Sequence, residues 1–273
     1  MTLPSFETLA ISLDQGVARI ALNRPEKANA INLRMWDELR EAMRWLARTE
    51  SARVGILQAR GRHFCAGLDL GTFAELRQLT TDACEGRTRE RLREHILDLQ
   101  DTVTAIERCT KPVIAAVHAA CVGGGIDIIA ACDLRYASVN AYFCVKEIDV
   151  GMVADVGTLQ RLPRLVGDGL ARELALTGRN VDAAEAQAMR LVNQCFDSDQ
   201  ALVDGVDAIA RTLAAKSPLA LRGTKHMLNH ARDHRIADGL EHVATWNAAM
   251  LYSHDLDEAM RAAREKRPPV FRD

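Results

Sequence analysis

Three acidic side chains, Asp127, Glu147 and Asp155, are candidates for general acid and base chemistry. They follow an apolar run at 113–117 and a triple glycine at 123–125. Burial and mutual repulsion raise the pKa of neighbouring carboxyl groups, so such groups need not share one charge state at neutral pH. One ionised and one neutral carboxyl could then act as general base and general acid.

The glycines at 123–125 predict a turn whose backbone can approach a ligand closely. A helix that begins at such a turn leaves its first amides without intrahelical acceptors, which suits an oxyanion. Glycines at such a turn can also serve close helix packing, so the turn alone does not indicate a binding site. A second donor is required besides the Gly124 amide. The loop FCAGLDL at 64–70 is expected to leave the Ala66 amide free. Two such amides could hold one carbonyl oxygen and stabilise an enolate.

The elements that must position these groups are typical of an α/β protein. Two β-rich runs within residues 8–23 flank a turn and predict an opening hairpin. Asn32 is expected to cap a helix with one apolar face, which should end near Glu50. Short buried strands are predicted at 54–59 and 113–117. Strand, helix and strand in succession predict an α/β layer.

The last third of the chain predicts helices. A helix from 171 to 190 and a strand from 191 to 196 complete the predicted α/β core, which we assign to residues 1–200 together with the active site. Residues 201–273 form the predicted helical C-terminal region, in which Ser217 caps a helix that begins with a proline. Three helices are expected there, at 218–233, 236–252 and 255–264.

Composition predicts a globular protein without a polyanionic partner. The chain has 273 residues, 48% of them hydrophobic, and a formal net charge of -2. This apolar fraction can fill a sizeable core. The nearly balanced charge gives no broad attraction to nucleic acid or to an anionic membrane, so neither partner is predicted.

Cysteine usage and the chain ends predict a reducing compartment. The seven cysteines form no CxxC pair, and we expect neither disulfides nor zinc. The first residues, MTLPSFETLA, lack the features of a signal peptide, and no apolar run is long enough to span a bilayer. The last residues, PPVFRD, do not form a peroxisomal tripeptide. The predicted location is the cytoplasm.

Several histidines and arginines have structural interpretations. His226, His230 and His234 repeat every four residues, but one straight helix cannot easily wrap three ligands around an ion, so we expect a polar helix face and no metal. His118 ends a buried strand and is expected to be a hydrogen-bonded core histidine. The arginines within 87–93 favour a solvated helix face over a basic patch.

A resemblance to a known family rests on four motifs, NRPEKANA, FCAGLDL, KPVIAAVHAACVGGGID and ACDLRY. In this order and over nearly the whole chain, they resemble the crotonase (enoyl-CoA hydratase/isomerase) superfamily. Within it, the chain is most similar to 3,5-dienoyl-CoA to 2,4-dienoyl-CoA isomerases, through IERCTKPVIAAVH, GGGIDIIAACDLRY, VKEIDVG and ADVGTLQRLP. The resemblance implies a crotonase-like α/β spiral of ββα units with a C-terminal helical region that assembles homotrimers or homohexamers.

The resemblance also implies a reaction in fatty acid β-oxidation. The Ala66 and Gly124 amides would hold the thioester oxygen of an acyl-CoA substrate. Glu147 and Asp155 would form a proton shuttle, one removing a C2 proton and the other delivering a proton to C6; the spacing leaves open which acid faces which carbon. Asp127 would be an auxiliary polar group. No metal or redox cofactor is expected, since coenzyme A is part of the substrate.

Three basic residues are candidates for binding the phosphates of coenzyme A. Arg24 and Lys27 lie in the early loop, and Lys266 lies near the C-terminus. In the family, a basic residue of the C-terminal helices can reach the coenzyme A of a neighbouring subunit. For Lys266, a solvated terminal charge is the alternative.

The carboxylates also have structural alternatives. Asp127 could be a first-turn acid favoured by the helix dipole, Glu147 a solvated partner of Lys146, and Asp155 the N-cap of a helix starting near Val156. The joint pattern with the family motifs favours the catalytic interpretation.

Other functions remain as alternatives. In the family's hydratases, the position of Asp127 is usually glutamate and that of Asp155 usually glycine, so hydration is disfavoured twice. A thioester hydrolase of the same superfamily is a further alternative. A non-catalytic acyl-CoA binding protein would not need the acids, and a serine peptidase on a related fold would need a serine in the glycine turn, where this chain has none.

Overall fold

The computed structural model of the chain describes residues 3–272. The strands in this range form two sheets. The main sheet has the strand order β1 (Leu9–Asp14), β2 (Val17–Leu22), β3 (Val54–Ala59), β4 (Val113–Val117), β6 (Leu134–Ser138) and β9 (Gln194–Phe196). The smaller sheet consists of β5 (Ala120–Val122), β7 (Tyr142–Cys144) and β8 (Val181–Asp182).

Helices surround these sheets and make up the C-terminal part of the chain. They are α1 (Leu33–Arg48), α2 (Gly71–Thr80), α3 (Glu85–Arg108), α4 (Gly124–Ala130), α5 (Thr158–Val166), α6 (Asp168–Thr177), α7 (Ala183–Ala188), α8 (Asp199–Ala214), α9 (Pro218–Asp233), α10 (Ile236–Met250) and α11 (His254–Glu265). Short 3₁₀ turns occupy Pro25–Lys27 and Glu147–Val150. Within residues 3–272, no helix combines the length and apolar character needed to cross a membrane.

The first elements follow the sequence prediction closely. Strands β1 and β2 form the expected antiparallel hairpin, and the remaining strands of the main sheet pair in parallel. The Asn32 side chain accepts a hydrogen bond from the Met35 amide at 2.9 Å, which confirms it as the N-cap of α1. The α/β prediction is therefore confirmed, and α1 ends at Arg48, close to the expected Glu50.

Both faces of the main sheet are covered, as a parallel sheet requires. One face packs against α1 and α3 in the larger core, and the other packs against α8 through Leu202, Val206 and Ala210. Helix α8 therefore shares the core of the sheet. The boundary at residue 200 stays a prediction, while the helices expected at 218–233, 236–252 and 255–264 are confirmed to within two residues as α9, α10 and α11.

The single helix predicted for residues 171–190 is wrong. Helix α6 ends before Gly178, which has a left-handed φ of 61°, and an added Cβ there would lie 2.9 Å from Asp149 Oδ2. The chain then forms β8, and the Asp182 carboxylate caps α7 by accepting from the Glu185 amide at 2.8 Å. A glycine stop followed by an acidic start interrupts the helix. The strand expected at 191–196 is confined to Gln194–Phe196.

The structure revises the prediction for His118 and adds a contact to the predicted histidine face of α9. His118 makes a hydrogen bond with the Gly61 carbonyl at 3.0 Å, but it is half-buried at the end of β4 and so is not a core residue. The His230 ring of α9 stacks between two other histidine rings. Its centroid lies 3.7 Å from that of His234, at the end of α9, and 4.1 Å from that of His242 in α10. This polar helix face is thus an interhelical contact. The arginines within 87–93 are solvent-exposed on α3, as predicted.

A buried ion pair attaches α9 to the core. Lys225 Nζ donates to Asp133 Oδ2 at 2.7 Å and to the Lys111 carbonyl at 3.0 Å. Only 6% of the Lys225 side chain is exposed. The Asp133 carboxylate also accepts from the Val113 amide at 2.7 Å, so the lysine, the aspartate and the start of β4 form one unit.

We predict that Lys225→Met destabilises the protein by about 1–3 kcal/mol, because it leaves the half-buried Asp133 carboxylate without its cation. Urea unfolding followed by circular dichroism measures this change. Lys216→Met is the matched control, since Lys216 is exposed and should change stability by less than about 0.5 kcal/mol. Equal stability of the two variants would contradict the structural role of the buried pair.

Candidate active site

One cavity collects most of the residues that the sequence indicates. It has a volume of about 780 Å³ and borders Gly123 and Gly124. The carboxylates of Asp127, Glu147 and Asp155 all line it. Its apolar walls include side chains of α2 and α3, namely Phe73, Leu76, Leu92, Ile96 and Leu99. The cavity therefore combines titratable groups with walls suited to a hydrocarbon chain.

The glycine turn brings backbone against this cavity. Gly123 has φ 52° and ψ -117°, and its amide donates to the Cys144 carbonyl at 2.9 Å. An added Cβ at Gly123 would lie 3.3 Å from Glu147 Oε1, so the glutamate packs directly against the turn. Gly124 begins α4 and lines the cavity; among residues 3–272, no acceptor binds its amide. Gly124 is thus free to bind an oxyanion.

The expectation that the Ala66 amide is free is wrong. That amide donates to the Ala28 carbonyl at 3.0 Å. The backbone of Ile31 also pairs with the loop at 64–70. Its amide donates to the Gly67 carbonyl at 2.8 Å, and its carbonyl accepts from the Asp69 amide at 2.9 Å. This pairing leaves the Leu68 amide between them without an acceptor in the described part of the chain, and Leu68 lines the cavity.

Hydrogen bonds and an ion pair fix the early loop that follows β2. The Asn29 side chain is fully buried, and its Nδ2 donates to the Arg60 and His63 carbonyls at 2.8 and 2.7 Å. Arg24 forms an ion pair with Asp69 at 2.9 Å and donates to the Ala30 carbonyl at 2.5 Å. These bonds join the early loop to the loop at 64–70.

The three predicted coenzyme A ligands lie in different settings. The Arg24 side chain is 15% exposed and already has an anionic partner. Lys27 is exposed in the 3₁₀ turn that begins at Pro25, and Lys266 is exposed at the end of α11. Their contact with coenzyme A stays a prediction.

Asp127 links two helices. Its side chain, 2% exposed, starts from the first turn of α4 and accepts from the Thr158 amide at 2.6 Å and from the Thr158 hydroxyl at 2.7 Å. It therefore caps the first turn of α5, which the sequence did not predict. Burial, together with the charges of Glu147 and Asp155, raises the pKa of Asp127 to about 7, against the hydrogen bonds from Thr158.

Glu147 is half-buried at the start of its 3₁₀ turn. Its Oε2 is buried and has no hydrogen-bond partner among the described residues. Burial, and next the repulsion from Asp155, raise its pKa. The alternative that Glu147 pairs with Lys146 is wrong, because Lys146 forms its ion pair with Asp149. A buried carboxylate oxygen without a partner, in a cavity wall, is available to a ligand.

Asp155 approaches the same cavity from an irregular segment. It is half-buried, and burial raises its pKa. The alternative that it caps a helix is wrong, since α5 begins at Thr158 after Gly157 and its first amide bonds Asp127. The Asp155 carbonyl accepts from Gln100 Nε2 of α3 at 2.7 Å, a contact between residues 55 positions apart.

Trp36 is a cavity residue that the sequence indicated only as part of an apolar helix face. Its ring packs against Gly124, with Cζ2 3.3 Å from where a Cβ would stand, and its Nε1 is buried without a partner among residues 3–272. No spacing signal distinguishes it from other core positions of α1. The sequence did not indicate Leu68 either, because pairing with the early loop decides which amide of this loop remains without an acceptor.

Comparison with known proteins agrees with this architecture. A sequence profile of the family described as "Enoyl-CoA hydratase/isomerase" matches residues 12–273. The chain belongs to this family. A solved member, an enoyl-CoA hydratase from Bacillus anthracis, superposes with a TM-score of 0.88 at 29% identity, over 97% of this chain and 99% of that one. The predicted crotonase-like fold is thereby confirmed.

Two curated family members are similar over most of their length. The chain is 46% identical to "Delta(3,5)-Delta(2,4)-dienoyl-CoA isomerase, peroxisomal" of Arabidopsis thaliana, over 99% of each protein. It is 42% identical to the mitochondrial protein of the same name from Homo sapiens, over 96% of this chain and 81% of that protein. The resemblance to dienoyl-CoA isomerases is therefore not confined to the motifs and covers nearly the whole sequence.

We predict that Asp127→Asn changes how stability depends on pH. Burial raises the pKa of Asp127 to about 7 in the folded protein, above its value in the unfolded chain. The wild-type carboxyl therefore stabilises the folded state most at pH below about 4, and this stabilisation is lost as pH rises through 7. Asparagine keeps an acceptor for Thr158 and does not titrate. In thermal unfolding between pH 4.5 and 8, the Tm of the variant should therefore rise relative to the Tm of wild type as pH rises.

The control for this measurement is Asp257→Asn, which alters an exposed aspartate on α11. Its Tm difference from wild type should stay nearly constant over the same range. A constant difference for Asp127→Asn as well would contradict the raised pKa of the buried carboxyl.

Proposed function

We propose that this protein is a dienoyl-CoA isomerase that converts 3,5-dienoyl-CoA to 2,4-dienoyl-CoA in fatty acid β-oxidation. The observation that carries the proposal is that three acidic residues, Asp127, Glu147 and Asp155, line one cavity beside two amides that have no acceptor in the described part of the chain. The names of the two curated relatives, both dienoyl-CoA isomerases, support the same reaction.

The thioester oxygen would accept hydrogen bonds from the Gly124 and Leu68 amides. Both residues line the cavity, and neither amide has a partner among residues 3–272. Loss of one donor of this kind typically costs ~10²- to 10³-fold in rate, because the negative charge of an enolate is then less well stabilised. Leu68 thus takes the place that the sequence had assigned to Ala66.

Proton transfer would use Glu147 at C2 and Asp155 at C6. Glu147 packs against Gly123, next to the oxyanion donor Gly124, and C2 is the carbon adjacent to the thioester. The ionised Glu147 takes the C2 proton, and the electron pair of that bond spreads over a dienolate to C6. Neutral Asp155 then gives its proton to C6, so that both double bonds move toward the thioester and one carboxyl has lost the proton that the other gained.

The raised pKa values of the acids allow one carboxyl to be neutral while the other is ionised. Burial raises the pKa of both Glu147 and Asp155, and repulsion from Asp155 adds to the effect on Glu147. Two interacting carboxyls lose their protons in two separate steps, so a singly protonated pair persists over a range of pH. Asp127 would keep Thr158 in place and add to the local field without touching the substrate. These steps require no metal or redox cofactor.

Assembly and location form a separate part of the proposal. Among its described residues, α10 has none that is buried, and it exposes 84% of Ile236 and 63% of Leu240. These apolar side chains support a homotrimer or homohexamer formed through the C-terminal helices. Arg24, Lys27 and Lys266 would bind coenzyme A phosphates. A cytoplasmic location remains our proposal, although the two relatives carry the words peroxisomal and mitochondrial in their names.

We predict that Glu147→Gln and Asp155→Asn each lower kcat by ~10²-fold or more, because each removes one titratable group of the shuttle. Growth of the conjugated 2,4-dienoyl chromophore from a 3,5-dienoyl-CoA measures turnover. Asp149→Asn is the matched control, since Asp149 is an exposed acid of the same 3₁₀ turn, bound to Lys146. It should retain near wild-type kcat.

Other products would identify the alternatives. Release of free coenzyme A without the chromophore would indicate a thioester hydrolase, and addition of water to an enoyl-CoA would indicate a hydratase. Substrate binding without turnover by the wild-type protein would indicate a non-catalytic acyl-CoA binding protein. Any of these results would overturn the proposed isomerase.

A further inference from the structure

One face of α3 carries three polar side chains that turn toward the Asp155 segment and α5. Gln100, Thr104 and Glu107 are spaced by four and three residues, so they lie on the same side of the helix. We call these three residues the α3 polar face. Its first member, Gln100, donates from Nε2 to the Asp155 carbonyl at 2.7 Å.

The segment that carries Asp155 has few other attachments. Residues 152–155 belong to no helix or strand. In the described part of the chain, Gln100 is the one residue outside this segment whose side chain bonds the backbone between residues 153 and 157. The next anchor along the chain is the bond from the Thr158 amide to Asp127. Gln100 therefore fixes the peptide that bears the carboxyl.

A second contact of the α3 polar face holds the helix that follows. Arg161 of α5 donates to Glu107 Oε2 from Nε at 3.0 Å and from Nη2 at 2.7 Å, and both side chains are largely buried. Gly157 makes this pair possible, because a Cβ at that position would overlap the Arg161 guanidinium. Helix α3 thus contacts the chain at Asp155 itself, through Gln100, and again at Arg161 in α5.

Helix α3 also forms part of the substrate cavity. Leu92, Ile96 and Leu99 line its apolar walls, and Leu99 immediately precedes Gln100. A single rigid helix therefore borders the space for the acyl chain and holds the backbone of a proton-transfer residue. The position of Asp155 relative to a bound acyl chain is set through α3.

We propose that Gln100 is a positioning residue of the proton shuttle, which holds the Asp155 backbone and so sets the separation between the Asp155 and Glu147 carboxyls. This inference rests on the proposed isomerase function. Gln100 does not line the cavity and does not need to touch the substrate. Its contribution is geometric, since a misplacement of about 1 Å can cost ~10²-fold in rate.

Loss of the Gln100 bond has two consequences that a general loss of stability would not produce. The oxyanion donors and apolar walls remain, so KM should change little while kcat falls. A longer separation between the carboxyls also weakens their repulsion. In the intact pair this repulsion raises the pKa for loss of the second proton, so weaker repulsion lowers that pKa. The alkaline limb of the kcat profile should therefore move to lower pH.

The test compares Gln100→Met with Gln160→Met in the dienoyl-CoA assay. Both glutamines line the same neighbouring cavity of about 430 Å³, but Gln160 is exposed and its side chain makes no hydrogen bond within residues 3–272. We expect Gln100→Met to lower kcat by roughly 10- to 100-fold, with KM within about twofold and a narrower pH profile. Gln160→Met should match wild type.

A second variant guards against misfolding. Gln100→Glu keeps the shape of the side chain but, when ionised, has no proton to donate to the Asp155 carbonyl, so it should show the same loss in kcat. If either variant is folded and matches Gln160→Met in kcat and pH profile, the inference is overturned while the proposed function stands. If wild-type protein forms no 2,4-dienoyl product, the proposed function is overturned and this inference with it.

Discussion

The buried carboxylate of Asp127 is the contact on which the candidate site depends. It starts from α4, directly after the glycine turn, and accepts two hydrogen bonds from Thr158 at the start of α5. One half of the site, with the Gly124 amide, is thereby joined to the other half, which carries Asp155. Because the carboxyl is 2% exposed, this join is made in a low-dielectric interior, where hydrogen bonds are strong and charges are costly.

The same desolvation gives the neighbouring acids their chemistry. A carboxyl group in water is fully ionised at neutral pH and is a poor proton donor, whereas the pKa of both Glu147 and Asp155 is raised by burial. The fold supplies this burial by packing an irregular segment between the glycine turn and α3. Structure outside the cavity, above all Gln100 and the Arg161–Glu107 pair, then restricts where the acids can be.

The sequence predicted those parts of the molecule that depend on local signals. The hairpin, the Asn32 cap and the glycine turn all follow from residue type and spacing. Contacts between distant residues were not predictable in this way: Asp127 and Thr158 are 31 positions apart, and Gln100 and Asp155 are 55 apart. The choice of Leu68 over Ala66 has the same origin, since pairing with the early loop decides which amide remains free. The break at Gly178 was missed although glycine is a local signal.

The most direct test of a two-carboxyl shuttle is the fate of hydrogen at C6. Conversion of a 3,5-dienoyl-CoA in D₂O, followed by proton and deuterium NMR of the product, locates the hydrogen that the enzyme delivers. If one carboxyl removes the C2 proton and a second, solvent-equilibrated carboxyl protonates C6, the 2,4-dienoyl product carries one deuterium at C6. Transfer of the protium from C2 to C6, which leaves the product without deuterium at C6, would show that a single group carries the proton, and would contradict separate roles for Glu147 and Asp155.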